Sequence, residues 1–399
     1  MEKISDLIEK FDKKEKKSIN LIASENYLSK YARRVYNSEI STKYCFDDDE
    51  VFHFPGREIL LKIEKICIEI MREKLNAKYV NVKTLSGMNC LTTVIGAVKN
   101  NCECFLSLNP NVGGHGSTQV IAQIMGLNCE YISLDNDRKD IDIKEIEEIL
   151  SRYDQKKTVL YIDHANILFP INIKQLKKLY PKLTIIYDIS HIMGLILGQV
   201  FENPLNQGAD LIVGSTHKTF PGPHKGIIAT NNLLLSKKIK FYTSVFVSHE
   251  HIADIAALAI LLERNRYTFN KYAERIVKNA NIFGKTLLNQ GLNVIFDKRG
   301  VTQTHQVWIV VSDKKEETLD IVNKLAFYGI NVNTILIPFT KKWGIRVGVQ
   351  EISQKWEEDE VMDLALIFSK IYKDKLQSED NDLLKNLIQK YHFAESIIK

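Results

Sequence analysis

The 399-residue sequence has no long apolar run, no metal-spaced set of cysteines and no block of like charge. Six cysteines are present, and the only close pair is Cys102-Glu-Cys104, which falls short of a zinc pattern. They read as reduced, buried thiols, with no metal expected. The 54 basic residues outnumber the 49 acidic ones by only five, and both are spread along the chain. Nothing therefore points to a nucleic-acid partner. The opening Met1-Glu-Lys-Ile-Ser-Asp lacks the apolar region of a signal peptide. Ile252 to Leu262, the most apolar helical stretch, is short and carries Asp254, so it is a core helix and not a membrane span. The expectation is a cytoplasmic protein without membrane association.

With 45% apolar and 26% charged residues, the composition is that of an ordinary globular protein. The length suggests a large domain and a smaller one.

The most informative stretch runs from Gly208 to Gly226. A short apolar strand, Leu211 to Val213, leads through Gly214 and small hydroxylated residues to Lys218, which lies between His217 and Thr219. Gly222 and Pro223 follow, which places the lysine on a turn. A lysine presented from a strand end beside polar donors is how a pyridoxal phosphate enzyme holds its cofactor as a Schiff base. By itself the tripeptide would equally be a surface lysine on a Gly/Pro loop. Thirty residues upstream, the apolar run Leu183 to Ile186 ends in Tyr187-Asp188. An acid at a strand's carboxyl end is where an α/β sheet places groups that face a ligand. There it would pair with the pyridinium nitrogen and keep the ring an electron sink. As an isolated residue it could be only a helix N-cap.

Asp188-x-x-His191-x-x-Gly194 and Thr216-His217-Lys218-Thr219 with Gly222-Pro223 resemble the cofactor motifs of the serine hydroxymethyltransferases, fold-type I pyridoxal phosphate enzymes. The resemblance extends over most of the chain. Leu21-Ile-Ala-Ser24-Glu25-Asn26 is close to the family's opening motif, where the serine contacts the substrate carboxylate; a helix cap at Ser24 or Asn26 is compatible with that role. Ser41-Thr42-Lys43-Tyr44 is similar to the family's next motif. The strand Tyr79 to Lys83 and the turn Ser86-Gly87-Met88 match a phosphate-binding helix start, with Met88 in place of a second hydroxyl. In Gly113-Gly114-His115-Gly116-Ser117, His115 takes the part of an imidazole stacked on the cofactor ring, on glycines that permit a close backbone. After the strand Thr158 to Asp163, Asn166 is the remaining polar contact for the ring hydroxyl. Gly344-Ile-Arg346-Val-Gly348 resembles the family's carboxylate clamp, for which the planar guanidinium fork is suited. Its flanking glycines read as room for a ligand.

The resemblance thus implies Lys218, Asp188, His115 and His217 as catalytic residues. It implies Ser86, Gly87, Met88, His115, Asn166, Asp188, His191, Thr216, His217 and Lys218 around the cofactor, and Ser24, Tyr44 and Arg346 around an α-amino acid. It also implies an aspartate aminotransferase-like α/β fold with a mainly parallel seven-stranded sheet sandwiched by helices. In this division, an N-terminal helical arm covers 1–45, a large cofactor domain 46–280 and a small α+β domain 281–399. A homodimer or tetramer with shared sites is implied as well.

One departure bears on the reaction. Where the family has a glutamate for proton transfer, an ungapped match from Tyr44 to Ile63-Glu64 puts Phe46, which cannot move a proton. Asp47, Asp48 or Glu50 could substitute only if the loop is rebuilt. The expected chemistry is Cα–Cβ cleavage or formation of the aldol or transaldol kind, without folate. The alternatives are aminotransfer, decarboxylation or true folate-dependent hydroxymethyl transfer, since fold does not fix the reaction.

Overall fold

The computed structural model describes residues 2–45, 54–135 and 140–399. Its contacts divide the chain into two compact units, residues 26–270 with 398–399 and residues 1–25 with 271–397.

The larger unit is built on seven strands: β2 (Tyr79–Asn81), β3 (Cys104–Leu108), β4 (Cys129–Ile132), β5 (Thr158–Ile162), β6 (Thr184–Asp188), β7 (Leu211–Ser215) and β8 (Gly226–Thr230), with β1 (Ile19–Asn20) in the other unit. Their spatial order is β2-β8-β7-β6-β5-β3-β4. The strands from β7 to β4 are parallel, while β8 runs antiparallel to both neighbours. Strands β3, β5, β7 and β8 are buried along their whole length, which is why they read as unbroken apolar runs and not as alternation. The helix Gly87–Lys99 covers one face, placing Leu91, Val94, Ile95 and Val98 in a core with Phe105, Val159, Ile186 and Val213. Gly96 on that helix is required by packing, because a Cβ there would lie 2.5 Å from the Tyr242 ring.

The core helix read over Ile252 to Leu262 runs Ile252–Arg264 and stops short of a second helix, Phe269–Asn289. The buried Asn265 ends it. Its Nδ2 donates to the Leu261 carbonyl at 2.8 Å and to the Lys399 carbonyl at 2.9 Å, and its Oδ1 accepts from the Lys399 N–H at 2.7 Å. The helix Glu58–Leu75 buries Leu60, Glu64, Cys67, Ile70, Met71 and Leu75, whereas Ile59 is exposed.

The smaller unit has β9 (Gln306–Ser312), β10 (Ile330–Asn331), β11 (Asn333–Leu336) and β12 (Trp343–Gly348). An antiparallel sheet runs β11-β12-β9, and β1 pairs with β10 in parallel. Val294 makes an isolated antiparallel bridge to Ile309. Among the described residues no helix is long and apolar enough to cross a membrane, and no cluster of His, Cys, Asp and Glu could hold a metal. All six cysteines are free thiols.

Candidate active site

In the larger unit the site is assembled at the carboxyl ends of β5, β6 and β7 and at the start of the helix Gly87–Lys99. Asp188 closes β6. Its Oδ1 accepts from the Ser190 N–H at 2.8 Å and its Oδ2 from the Tyr161 hydroxyl at 3.2 Å. Burial, followed by the Asp188 charge, holds the Tyr161 phenol far above its ordinary value, so it stays a donor. Asp188 is not a cap: the next helix, Met193–Leu197, is preceded by Ile192.

Beyond β7 the chain turns through Thr216 to Lys225. The Thr216 hydroxyl donates to the Pro223 carbonyl at 2.6 Å, and the Gly222 N–H returns to the Thr216 carbonyl at 2.8 Å. The hydroxyl of Thr216 is thus spent on shaping the loop. Lys218 is half-buried, and its carbonyl accepts from Asn26 Nδ2 at 2.6 Å, which brings the end of the Leu21–Asn26 motif to the lysine. Neither Ser24 nor Asn26 caps a helix; the cap of Lys30–Arg33 is Ser29, whose hydroxyl accepts from the Ala32 N–H. Thr219 Oγ1 accepts from the Gly194 N–H at 3.1 Å, and a Cβ on Gly194 would lie 2.4 Å from the Thr219 carbonyl. Gly194 is therefore a packing requirement of the lysine loop. His191 is buried in the turn before it.

His217 lies 4.1 Å from the His224 ring, centroid to centroid. Burial first, then His224 and Lys218, push its imidazole down to about 3, so the ring is neutral around pH 7. A neutral His217 orients by hydrogen bonding and is a poor proton carrier.

Ser86 caps the helix Gly87–Lys99 and accepts from the Asn89 N–H at 3.1 Å. The remaining first-turn N–H groups of Gly87 and Met88 have no intrahelical acceptor by construction, which makes an anion site. A Cβ on Gly87 would stand 3.4 Å from Ser190 Oγ and 3.6 Å from Ser215 Cβ, so the helix start meets the ends of β6 and β7. Among the described residues Ser215 Oγ and His217 Nδ1 are both buried without a hydrogen-bond partner. A phosphate at the helix start would accept from such a hydroxyl, and on this ground the residues fit pyridoxal phosphate. Ser215 was not singled out from the sequence, although a hydroxyl residue three positions before a strand-end lysine is a readable signal.

His115 is exposed on the loop after β3, and its N–H donates to Asp163 Oδ2 at 3.1 Å. Asn166 is joined to that loop through its N–H, which donates to the Gly113 carbonyl at 3.1 Å. Tyr44 packs on His249, with ring centroids 4.6 Å apart, and its hydroxyl donates to the Ser248 carbonyl. Phe46, Asp47, Asp48 and Glu50 lie outside the described residues.

In the smaller unit Arg346 lies on β12, half-buried, with its Nε 3.4 Å from Asn333 Oδ1. Burial lowers its guanidinium to about 10, leaving it charged at neutral pH. The glycines on either side serve the backbone and not a ligand. A Cβ on Gly344 would lie 2.2 Å from the Ile309 carbonyl oxygen, and one on Gly348 2.3 Å from Ala23 Cα. That second contact sets Ser24, next to Ala23, beside the strand that carries Arg346.

The serine hydroxymethyltransferase family profile matches residues 1–367. A serine hydroxymethyltransferase of Archaeoglobus fulgidus is 30% identical, over 98% of this chain and 92% of that protein. An L-threonine:uridine-5'-aldehyde transaldolase from an Amycolatopsis species is 30% identical over 84% of this chain and 83% of its own. In solved structures, an L-threonine transaldolase from Pseudomonas fluorescens, captured in its internal aldimine state, superposes with a TM-score of 0.89 at 26% identity, covering 97% of this chain and 91% of that one. With its lysine, aspartate and phosphate-helix motifs in family order on the family's fold, the chain belongs to the serine hydroxymethyltransferase family of pyridoxal phosphate-dependent enzymes.

Proposed function

We propose that the protein breaks and forms the Cα–Cβ bond of a small β-hydroxy α-amino acid without folate, passing the amino acid fragment between aldehydes as a transaldolase does. The observation that carries this is the strand-end constellation of Lys218, Asp188, Ser86 and Ser215, read together with the absence of a glutamate at Phe46. The names of the transaldolase relatives support the same reading.

Pyridoxal phosphate bound through Lys218 supplies an electron sink for the pair left on Cα. The chain's own residues do the rest. Asp188, fixed by Tyr161 and the Ser190 N–H, accepts from the ring N–H and keeps that proton in place. The helix start at Gly87 and Met88, with the Ser215 hydroxyl, holds the phosphate. His115 would stack on the ring, and Asn166 and the neutral His217 would contact its polar edge. By the family resemblance Arg346 and Ser24 would take the substrate carboxylate, a task that suits the guanidinium's two parallel donors. In the reaction the β-hydroxyl proton passes to water, the Cα–Cβ pair stays on Cα and an aldehyde departs; Cα then bonds to the carbonyl carbon of a second aldehyde, whose oxygen takes a proton from water, or Cα itself takes the proton. Tyr44 is proposed to contact substrate.

A homodimer in the cytoplasm belongs to the same proposal. The helix Ile4–Glu15 buries no residue and leaves Ile4, Leu7, Ile8 and Phe11 exposed at helical spacing, a stripe that a second copy would cover. Six free thiols accord with a reducing compartment.

The decisive experiment incubates the purified protein with threonine and with glycine, with and without tetrahydrofolate. Aldehyde release from threonine, unchanged by folate and lost in Lys218→Ala, is expected. A glycine-dependent spectral change that requires folate would overturn folate independence. Conversion of the cofactor to its amino form by an amino donor would favour aminotransfer instead.

A further inference from the structure

The lysine loop ends in a residue to which the chemistry above gives no part. Lys225, immediately before β8, is completely buried. Its ammonium donates to the Glu250 carbonyl at 2.6 Å, the Thr84 carbonyl at 3.4 Å and the Lys83 carbonyl at 3.5 Å. All three acceptors are main-chain oxygens, so the hydrogen bonds hold the ammonium without cancelling its charge. The carboxylates whose charge reaches it, Asp254 and then Glu250, are bonded elsewhere: Asp254 Oδ1 accepts from the Tyr36 hydroxyl at 2.7 Å, and Glu250 pairs with Lys83 at 2.9 Å. A lysine is almost never fully buried without a carboxylate partner, so its place needs a reason.

The reason lies in which loops it joins. Residues Thr84 to Ser86 lead into the helix Gly87–Lys99, whose start is the phosphate site. The backbone at Lys225 and Gly226 lies directly against them: the Gly226 N–H donates to the Thr84 carbonyl at 3.0 Å, and a Cβ on Gly226 would stand 2.5 Å from the Ser86 carbonyl. On the other side, Glu250 belongs to the segment on which Tyr44 rests. We propose that Lys225 is a positioning residue of the cofactor-phosphate site, its ammonium clamping the loop into the helix Gly87–Lys99 and holding a buried positive charge behind the anion site. This rests on the assignment of that helix start to the cofactor phosphate. Ser215 Oγ, buried and unpartnered at the same helix start, points independently to an oxygen-rich anion there. Burial lowers the Lys225 amine to about 8, which leaves it charged at neutral pH. In a low-dielectric setting a single charge within about 10 Å of a phosphate dianion changes affinity by an order of magnitude.

The test compares apo full-length protein titrated with pyridoxal phosphate and with pyridoxal, which lacks the phosphate, each followed by its visible absorbance. In Lys225→Gln, which keeps an N–H donor but loses the charge, the preference for pyridoxal phosphate over pyridoxal is expected to fall about tenfold, while Lys225→Arg keeps it. An unchanged preference, or equal weakening for both aldehydes, would overturn the proposal and leave Lys225 a purely structural clamp. If Lys225→Gln does not fold, Lys225→Arg decides the matter, and loss of the preference in that variant overturns the role of charge. Failure of the unaltered protein to bind pyridoxal phosphate would instead defeat the cofactor-site assignment itself.

Discussion

The His115 N–H donates to Asp163 Oδ2 at 3.1 Å, so a buried carboxyl group just beyond β5 seats the loop that carries the imidazole. Among the described residues its other oxygen, Oδ1, is buried without a hydrogen-bond partner. Burial pushes the Asp163 carboxyl up from its ordinary 3.8 to about 7. Between those values the native state holds a proton that the unfolded chain releases, so stability falls as pH rises from about 4 to about 7. Asp163→Asn keeps an acceptor oxygen and removes the titration. Urea midpoints at pH 5 and pH 8 are expected to shift in the variant's favour as pH rises; parallel profiles would show that Asp163 does not titrate in this range.

Gly194 and Gly116 form a matched pair. A methyl group on Gly194 would enter the backbone at Thr219, whereas nothing lies within 4 Å of one on Gly116. Gly194→Ala is expected to cost about 1–3 kcal/mol and to weaken retention of the cofactor by displacing the lysine loop. Gly116→Ala should stay within about 0.5 kcal/mol of the parent. Thermal unfolding and the visible absorbance after gel filtration measure both, and equal behaviour of the two variants would refute the packing argument.

Lys83 bridges two acids whose side chains are 9% and 0% exposed, Glu64 and Glu250. Removing the cation strands both carboxylates, so Lys83→Met should destabilise by about 3–5 kcal/mol. Burial already lifts Glu250 to about 7, and it would take up a proton in the variant. Adding Glu250→Gln to Lys83→Met should restore part of the loss. A purely additive double variant would show that the pair is not coupled.

The amino-terminal helix supplies a test of assembly. If its exposed Ile8 and Phe11 meet a second copy, the protein sediments as a dimer, and Ile8→Glu with Phe11→Glu gives a smaller species of unchanged helicity. A parent protein that sediments as a monomer would remove the dimer from the proposal.

Much of the larger unit was legible in the sequence because its central strands are apolar runs bounded by Gly, Pro and Asp, and because strand ends carry the chemistry. The strands read at Thr158 to Asp163 and Leu211 to Val213 are present as Thr158–Ile162 and Leu211–Ser215. What stayed hidden was decided by distant contacts. Asn265 ends a helix through a bond to Lys399, which no local pattern announces. Gly344 and Gly348 look like space for a ligand until Ile309 and Ala23 are seen to fill it. Glu64 is different, since it falls in step with Leu60, Cys67 and Met71, and an acid on a buried helical face could have been noticed.

Strands β7 and β8 pair antiparallel from Leu211 with Thr230 to Ser215 with Gly226, so Lys218 sits in a loop stitched at both ends into the middle of the sheet. Such a loop cannot fray on its own. Amide protons along these two strands should be among the slowest to exchange, opening only with the whole sheet. If Lys218 anchors the cofactor as proposed, the anchor shares the lifetime of the native state, and detachment by backbone opening and global unfolding become one cooperative event.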